Sequence, residues 1–430
     1  MTLPLTAILR DNVELTMGCT DPITPALAAA AARHVVGGRV TRICAIVSRD
    51  IFKGAFAVGV PRTGRAGIRI ALLLGAAIGD PASRLMLFAT ATEQHVLQAL
   101  AMLDDVDVEV IADGDKPAIY AHVVVWSSTG VGHATIQGRH DALVEVGHGD
   151  APARVFAQSG DAPSYARGLT ALKTGTIDDF TTAVKQARID DLEPICQGLA
   201  VNSALHSQRA LSSGPARHTH ADARANQGHS WIEEARAQVA GGIEARMTGS
   251  AVPIVAVFGS GNQGIVLFGG LQAVGLRRHV PPETTARAGA LAVLLAGAMN
   301  IAFERGSPFC DCVLVACPAL AGASAWLLGA EPAAVSQAIV ATSSVFTGLL
   351  CDGAKPSCAF RAGAGTSIAL ETASLAAGLG AGPCPAALGE GDWRRAYSDL
   401  AEVAATLREP AEEALVRTLH AKPDGSGSLE

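Results

Sequence analysis

Cysteine is the residue type in this chain that first suggests chemistry, because five of its nine cysteines lie within one stretch. Four of them belong to two turn-rich segments, GSPFCDC and CDGAKPSC. Cysteine thiolates are the ligands that soft metals and iron–sulfur clusters prefer in proteins. The stretch therefore predicts a metal or cluster site, and its cysteines are Cys310, Cys312, Cys317, Cys351 and Cys358.

Three interpretations of these cysteines compete. A structural zinc site needs four ligands, usually as two close pairs, and the C-x-C and C-x6-C spacings found here are unusual for zinc. Packing as a small apolar residue suits Cys317, which lies on an Ala-rich face. An iron–sulfur cluster fits best, because loops that contain Gly and Pro can wrap around a cubane.

Another cysteine, Cys19, lies in the segment MGCTDP close to the N-terminus. Asp21 is placed as an N-cap and Pro22 as the first helical residue of the following apolar run. A thiol just before a helix N-terminus is stabilised as thiolate by the helix dipole, which lowers its pKa. The alternative, which this segment alone favours, is a buried thiol at a turn.

The segment GSGNQG, Gly259–Gly264, matches the G-x-G-x-x-G pattern of dinucleotide-binding loops. A dinucleotide site also needs an acidic residue about 20 positions further on, and Leu276–His279 lies there instead. We therefore interpret the loop as a backbone cradle for an anionic group, such as a carboxylate, at a helix N-terminus. The candidate substrate-binding residues are Ser260, Gly261, Asn262 and Gln263.

Five motifs in combination give the chain a specific resemblance to a known family. MGCTDP resembles a G-C-T-E/D-P motif, FCDC an L-C-x-C motif and LLCDGAKPSC an I-C-D-G-A-K-x-x-C motif, while ARMTG and GSGNQG are similar to two further blocks. Over most of its length the chain resembles the iron–sulfur L-cysteine desulfidase family. That family is related to the alpha chain of iron–sulfur L-serine dehydratases.

The resemblance implies a [4Fe–4S] cluster held by three protein thiolates, with one iron open to substrate. Cys310, Cys351 and Cys358 are placed like the cluster cysteines of the dehydratases, and Cys312 is the rival for the first position. Cys19 matches an N-terminal family cysteine that either completes the cluster or acts in catalysis. Cys317 is left as a packing residue.

The implied reaction removes the β-substituent of a small amino acid without pyridoxal phosphate and ends in a keto acid and ammonia. L-Cysteine is favoured over L-serine, because a thiol suits iron better and leaves more easily. Candidates for the base that takes the Cα proton are a thiolate, His140 and Lys53. The chain differs from the family at Val257-Phe258 and in the shortened GSPFC, so the amino acid itself is left open.

Two alternatives remain beside this interpretation: a lyase that acts on a different β-substituted acid, and a non-catalytic metal or redox protein. The net charge of -7 argues against nucleic acid as a partner. We expect no signal peptide, hence a cytoplasmic protein with reduced thiols, and no membrane span. The apolar stretches Ala290–Phe303 and Val313–Ala330 are predicted to be buried helices, and a homodimer is left open.

The strands and helices that must position these residues are expected to form an α+β fold. Strands are expected at Arg39–Ser48, Arg84–Phe88, Val106–Ile111, Ala118–Trp126, His133–Gln137 and Ala142–Gly147, with a helix at Thr90–Leu103. Everything beyond about Thr176 is expected to be helical. The predicted organisation is a mixed α/β domain at 1–175, a larger helical iron–sulfur domain at 176–424 and an added tail at 425–430. Cys19 would face the other cysteines across the boundary between the two domains.

Overall fold

The computed structural model describes residues 3–149, 151–156, 163–207, 231–303, 307–380, 388 and 392–422, so the predicted tail lies outside the described residues. A mixed β-sheet occupies the N-terminal half and helices dominate the rest, which confirms the predicted α+β class. The strands are β1 (Val13–Thr16), β2 (Val40–Ser48), β3 (Gly59–Val60), β4 (Arg65–Ala66), β5 (Asp107–Asp113), β6 (Tyr120–Ser127), β7 (Gly130–Gln137), β8 (Leu143–His148), β9 (Arg154–Val155) and β10 (Ile254–Val257).

The helices fall into a short N-terminal group around the sheet and a longer C-terminal group. Those of the first group are α1 (Leu5–Asn12), α2 (Thr20–Val36), α3 (Arg49–Ala55), α4 (Ile68–Ile78) and α5 (Glu93–Asp105). Those of the second are α6 (Pro163–Thr174), α7 (Ile177–Gln186), α8 (Glu193–Ser207), α9 (Trp231–Met247), α10 (Gly261–Arg278), α11 (Pro282–Ala302), α12 (Asp311–Leu314), α13 (Ala316–Leu327), α14 (Pro332–Val345), α15 (Cys358–Leu379) and α16 (Trp393–His420).

The main sheet has the strand order β5-β2-β6-β7-β8-β9. β2 and β5 run parallel, and the other neighbouring strands run antiparallel. The Ala-rich helix α2 packs against the sheet and against α4, and small residues allow the close contact. A Cβ on Gly75 would lie 2.0 Å from the carbonyl oxygen of Ala26, and one on Gly132 would lie 2.2 Å from that of Ala32.

Two predictions about local structure are wrong. Arg84–Phe88 lies within a 3-10 helix, Pro81–Thr90, which Asp80 begins by accepting a hydrogen bond from the Ala82 amide at 2.9 Å. Leu85 and Phe88 are buried by packing without strand pairing. The segment after Thr176 is also not wholly helical, because β10 pairs antiparallel with β1. Its neighbour β1 supplies the hydrogen bonds that the short apolar run needs.

Two apolar cores lie on either side of the cavity described below. The first packs the sheet against α2, α4 and α5, and the C-terminal residues Val416 and Leu419 join it. The second packs the long helices together, and Leu9 and Val13 from the N-terminus belong to it. Each chain end thus packs with the opposite half. The domain limits at 175 and 424 stay a prediction.

Helix α11 is long and apolar enough to cross a membrane by length and composition alone. Most of it is buried inside the protein, as is usual for the core helix of a globular domain. Leu291, Leu294 and Leu295 are fully covered by neighbouring helices. The predicted burial of Ala290–Phe303 therefore agrees with the structure.

Candidate active site

The two cysteine loops lie side by side. The Cys310 amide donates to the carbonyl oxygen of Leu349 at 2.9 Å, and the Cys351 amide donates to that of Pro308 at 2.8 Å. The Cys310 and Cys312 sulfurs are 3.2 Å apart. Cys358 begins α15 and its thiol lies 3.8 Å from the carbonyl oxygen of Gly353. Local backbone pairing thus holds four thiols in one place.

These thiols open onto a cavity of about 200 Å³ between the two halves of the chain. Residues from the sheet half and from the helical half both line it. Ten of the eleven predicted site residues do so: Cys19, Lys53, His140, Ser260, Asn262, Gln263, Cys310, Cys312, Cys351 and Cys358. The eleventh, Gly261, lies directly behind the wall, where an added Cβ would be 2.4 Å from Nε of Arg246.

Cys317 lies apart from this cavity. It is buried within α13, its thiol is 3.4 Å from the carbonyl oxygen of Cys312, and a Cβ on Gly365 would lie 2.5 Å from its sulfur. The predicted packing role agrees with this position.

The donor set fits an iron–sulfur cluster in its chemistry. Three of the thiols, on Cys310, Cys312 and Cys358, are buried, and Cys351 is half-buried. Soft sulfur donors in a dry pocket are what such clusters use. Among the residues that the structure describes, no group of three or more His, Cys, Asp or Glu side chains is arranged for a single metal ion.

Positive charges lie close to three of the four thiols. Lys53 acts on Cys351, Lys355 and Arg361 act on Cys358, and Arg361 also acts on Cys310. The groups that act most strongly on Cys312 are burial and other cysteines. Cations beside a thiolate stabilise its charge. Contacts between the crowded sulfurs and burial still raise the pKa of all four thiols above the usual value.

Cys19 is a buried thiol, as the MGCTDP segment alone favours, and its pKa is not lowered. Cys19 itself, rather than Asp21, holds the N-cap position of α2. Burial raises the pKa of its thiol to about 11, and the nearby Arg246 guanidinium only partly opposes this. Desolvation of the thiolate therefore outweighs the helix dipole.

Asp21 also faces the cavity, in the first turn of α2. Burial raises its pKa to about 6, against the opposing charge of Arg246. The Cys19 thiol lies 3.9 Å from its Oδ2 atom. The sequence assigned Asp21 a capping role, so its place in the site was missed.

His140 lies in the turn between β7 and β8 and reaches the cavity from the sheet. Its Nδ1 atom is 2.8 Å from Oγ1 of Thr24 on α2. The neighbouring Arg139 is tied to the carbonyl oxygen of Asp11 and to Glu14. The turn is therefore anchored on both sides, and the imidazole is held in one place.

Lys53 is only 4% exposed and forms a buried ion pair with Glu412 of α16. Burial alone would lower its pKa, but Cys351, Asp50 and Glu412 together raise it above the usual value. Its backbone also supports the second cysteine loop, because a Cβ on Gly353 would lie 2.2 Å from the Lys53 carbonyl oxygen. A lysine that stays protonated is a poor general base.

The GSGNQG loop leads from β10 into α10, as a phosphate or carboxylate cradle would. Three of its amides are engaged, since those of Ser260, Gln263 and Gly264 donate to Val257 O, Ser260 Oγ and Ser260 O. At these positions the predicted amide cradle is not available. The side chains face the cavity instead, and Gln263 and Asn300 exchange two hydrogen bonds at 3.1 and 3.0 Å.

Arg246, at the end of α9, is a further cavity residue that the sequence did not single out. It is 4% exposed, and its Nη1 atom donates to Oδ1 of Asn262 at 2.8 Å. It belongs to the ARMTG block, so a polar residue within a recognised motif was the available signal.

Comparison with known proteins identifies relatives over most of the chain. The model of the serine dehydratase alpha chain family matches residues 145–384. A UPF0597 protein of Methanocella arvoryzae is 31% identical over 377 residues, which cover 85% of this chain and 86% of that protein. UPF0597 proteins of Yersinia enterocolitica and Clostridium botulinum are 29% and 26% identical, over 86% of this chain in each case.

These matches confirm the family resemblance found in the motifs. The family match includes both cysteine loops, the GSGNQG loop and Arg246. The chain belongs to the serine dehydratase alpha chain family.

Proposed function

We propose that this protein is a [4Fe–4S]-dependent lyase that eliminates the β-thiol or β-hydroxyl of a small α-amino acid. L-Cysteine is the favoured substrate and L-serine the second. L-Cysteine and water give a keto acid, ammonia and sulfide. L-Serine gives a keto acid and ammonia, because the water released in the elimination is balanced by the water used in the final hydrolysis. The proposal is supported by family membership and by the way the fold gathers the predicted residues.

The observation that carries the proposal is the meeting of four thiols and a polar loop at one cavity. The thiols of Cys310, Cys312, Cys351 and Cys358 lie on one side, and Ser260, Asn262 and Gln263 belong to the same lining. A structural metal site would not need a substrate-sized space beside it. A cluster-dependent lyase needs both the thiol ligands and a space for its substrate.

Cys310, Cys351 and Cys358 would hold the cluster, because each of them has a cation close by. When bound, a cluster with an open iron supplies a Lewis acid for the leaving group. Lys53 keeps a positive charge beside Cys351 and helps to balance the charge of the thiolates.

Of the three candidate bases, His140 suits proton removal from Cα best. Lys53 stays protonated in its ion pair, and the raised pKa of Cys19 disfavours its thiolate. A neutral imidazole can accept a proton at its unprotonated ring nitrogen, and Thr24 Oγ1, 2.8 Å from Nδ1, orients this one. The proton leaves Cα, the β-substituent leaves with its electron pair, and the resulting enamine tautomerises and hydrolyses to keto acid and ammonia.

The test is an assay of protein purified and reconstituted without oxygen. It is incubated with L-cysteine, L-serine and other β-substituted amino acids, and ammonia, sulfide and keto acid are measured. We expect ammonia and keto acid in equal amounts, with the fastest release from L-cysteine, and none from the Cys351→Ser variant. If an intact cluster gives no ammonia from any member of the panel, a non-catalytic metal or redox role replaces the lyase.

A further inference from the structure

Arg246 carries a buried positive charge, and the nearby Asp21 carboxylate acts on it through space without forming a direct ion pair. Its side chain lines the thiol cavity, and Nη1 is held by Asn262 at 2.8 Å. Its Nε atom is buried and has no hydrogen-bond partner. Among the described residues, no carboxylate forms an ion pair with this guanidinium, although Asp21 is near enough to feel its charge.

A buried guanidinium in this state favours an anionic ligand. Removing a charge from water is costly unless a partner of opposite charge compensates it. The planar guanidinium matches a carboxylate with two parallel hydrogen bonds. The cavity beside Arg246 has a volume of about 200 Å³, which leaves room for a small molecule.

Several other groups that could bind an anion at this cavity are already engaged within the protein. The amides of Ser260, Gln263 and Gly264 donate to neighbouring groups of the chain. Lys53 is paired with Glu412 and Asp50. Lys355 and Arg361 share Asp352.

The loop is shaped around this arginine. A Cβ on Gly261 would lie 2.4 Å from Nε and 2.5 Å from Cζ of Arg246, so any larger residue there would displace the guanidinium from this position. Asn262 then fixes Nη1 from the next position along the chain. Gly261 and Asn262 therefore act as positioning residues for Arg246.

We propose that Arg246 binds the α-carboxylate of the substrate and restricts the site to small amino acids with a free carboxylate. This inference rests on the proposed lyase function, because it names what the same cavity recognises. Amides and esters of the same amino acids are excluded, since they present no charge to the guanidinium.

The test measures binding without turnover. L-Alanine has no β leaving group and therefore stays intact, and L-alaninamide lacks the carboxylate. Calorimetric titration of both compounds into the full-length protein, with and without reconstituted iron, gives their dissociation constants. We expect L-alanine to bind at least about 10-fold more tightly than L-alaninamide, as charge-assisted hydrogen bonds require.

Three variants distinguish a loss of carboxylate binding from a loss of folding. Arg246→Gln should weaken L-alanine binding about 10- to 100-fold and remove the preference over the amide, with unchanged iron content. Asn262→Asp places a carboxylate beside Nη1, so it should weaken binding in the same direction even if Arg246→Gln does not fold. Arg69→Gln is the matched control, since Arg69 is also an arginine with a partly buried side chain but lies in another cavity and donates to the carbonyl oxygen of Leu103.

The two proposals can fail separately. Equal affinity for L-alanine and its amide, or no saturable binding of L-alanine, overturns the role of Arg246. Elimination by Arg246→Gln with an unchanged KM also overturns it, while the lyase function stands. Carboxylate-dependent binding without ammonia from any substrate refutes the lyase function and leaves Arg246 as the anchor of a binding site.

Discussion

At the scale of single residues, charge distinguishes the cysteines that share the cavity. Cys310 and Cys312 have sulfurs 3.2 Å apart, so distance alone does not separate them. Arg361 acts on Cys310, whereas other cysteines dominate the surroundings of Cys312. We therefore expect Cys310 to be the ligand and Cys312 to be its neighbour.

Iron analysis of serine variants tests this assignment. After anaerobic reconstitution, Cys310→Ser, Cys351→Ser and Cys358→Ser should each lose most of the bound iron, because each removes one of three ligands. Cys312→Ser should keep it, and Cys317→Ser is the control from the packed interior of α13. Loss of iron from Cys312→Ser with full retention in Cys310→Ser would reverse the assignment.

The sequence predicts which residues line the cavity better than it predicts what each of them does there. The cysteines, His140 and the GSGNQG side chains were found because their types and motifs are visible in the sequence. Arg246 and Asp21 were missed as site residues, because their importance comes from burial beside each other, which no local pattern reports. The sequence offers Lys53 as one candidate base, because it gives no sign of the ion pair with Glu412, which lies near the far end of the chain.

At the scale of elements, the helix that follows the GSGNQG loop is seated directly on β10. A Cβ on Gly264 would lie 1.9 Å from the carbonyl oxygen of Val255. This contact sets the position of α10 and with it the loop that faces the thiols. Apolar runs and turn residues in the sequence predict that a strand and a helix flank this loop. They do not predict how closely α10 packs on β10, because that depends on the distance between two backbones.

A glycine-to-alanine pair tests the importance of this contact. Gly264→Ala should lower the free energy of unfolding by about 1–3 kcal/mol or more, because the added methyl group forces α10 away from β10. Gly378→Ala, in α15 with open space around it, should raise the free energy by about 0.5–1 kcal/mol. Chemical denaturation of the two variants measures both values, and equal effects would contradict the seating of α10.

At the scale of the whole molecule, the N-terminal segment packs into the core of the helical half, and the C-terminal helix packs into the core of the sheet half. Val13 pairs with Val257 in the helical half, and Leu419 packs with the sheet. The sequence predicted two successive domains, because composition and periodicity change once along the chain. It could not show this packing, since pairing between short strands far apart leaves no local signal.

Removal of residues 1–16 tests how far the helical half depends on this packing. The deletion removes the buried side chains of Leu5, Ile8, Leu9 and Val13, each worth about 1.5–3 kcal/mol. Since net stabilities are about 5–15 kcal/mol, we expect the cooperative melting transition to be lost. A deletion of residues 423–430 is the control, and thermal melting followed by circular dichroism is the measurement. A truncated protein that melts within a few degrees of the full chain would show that the two halves fold independently.

The contact between Gly353 and the Lys53 backbone sets a limit on how substrate reaches the site. The second cysteine loop rests on a residue of the sheet half, with no space for even one added carbon. If the halves swung apart to admit a ligand, Cys351 would lose this support and the thiols would be disturbed. The contact therefore favours entry of the substrate into the cavity while the two halves stay packed together.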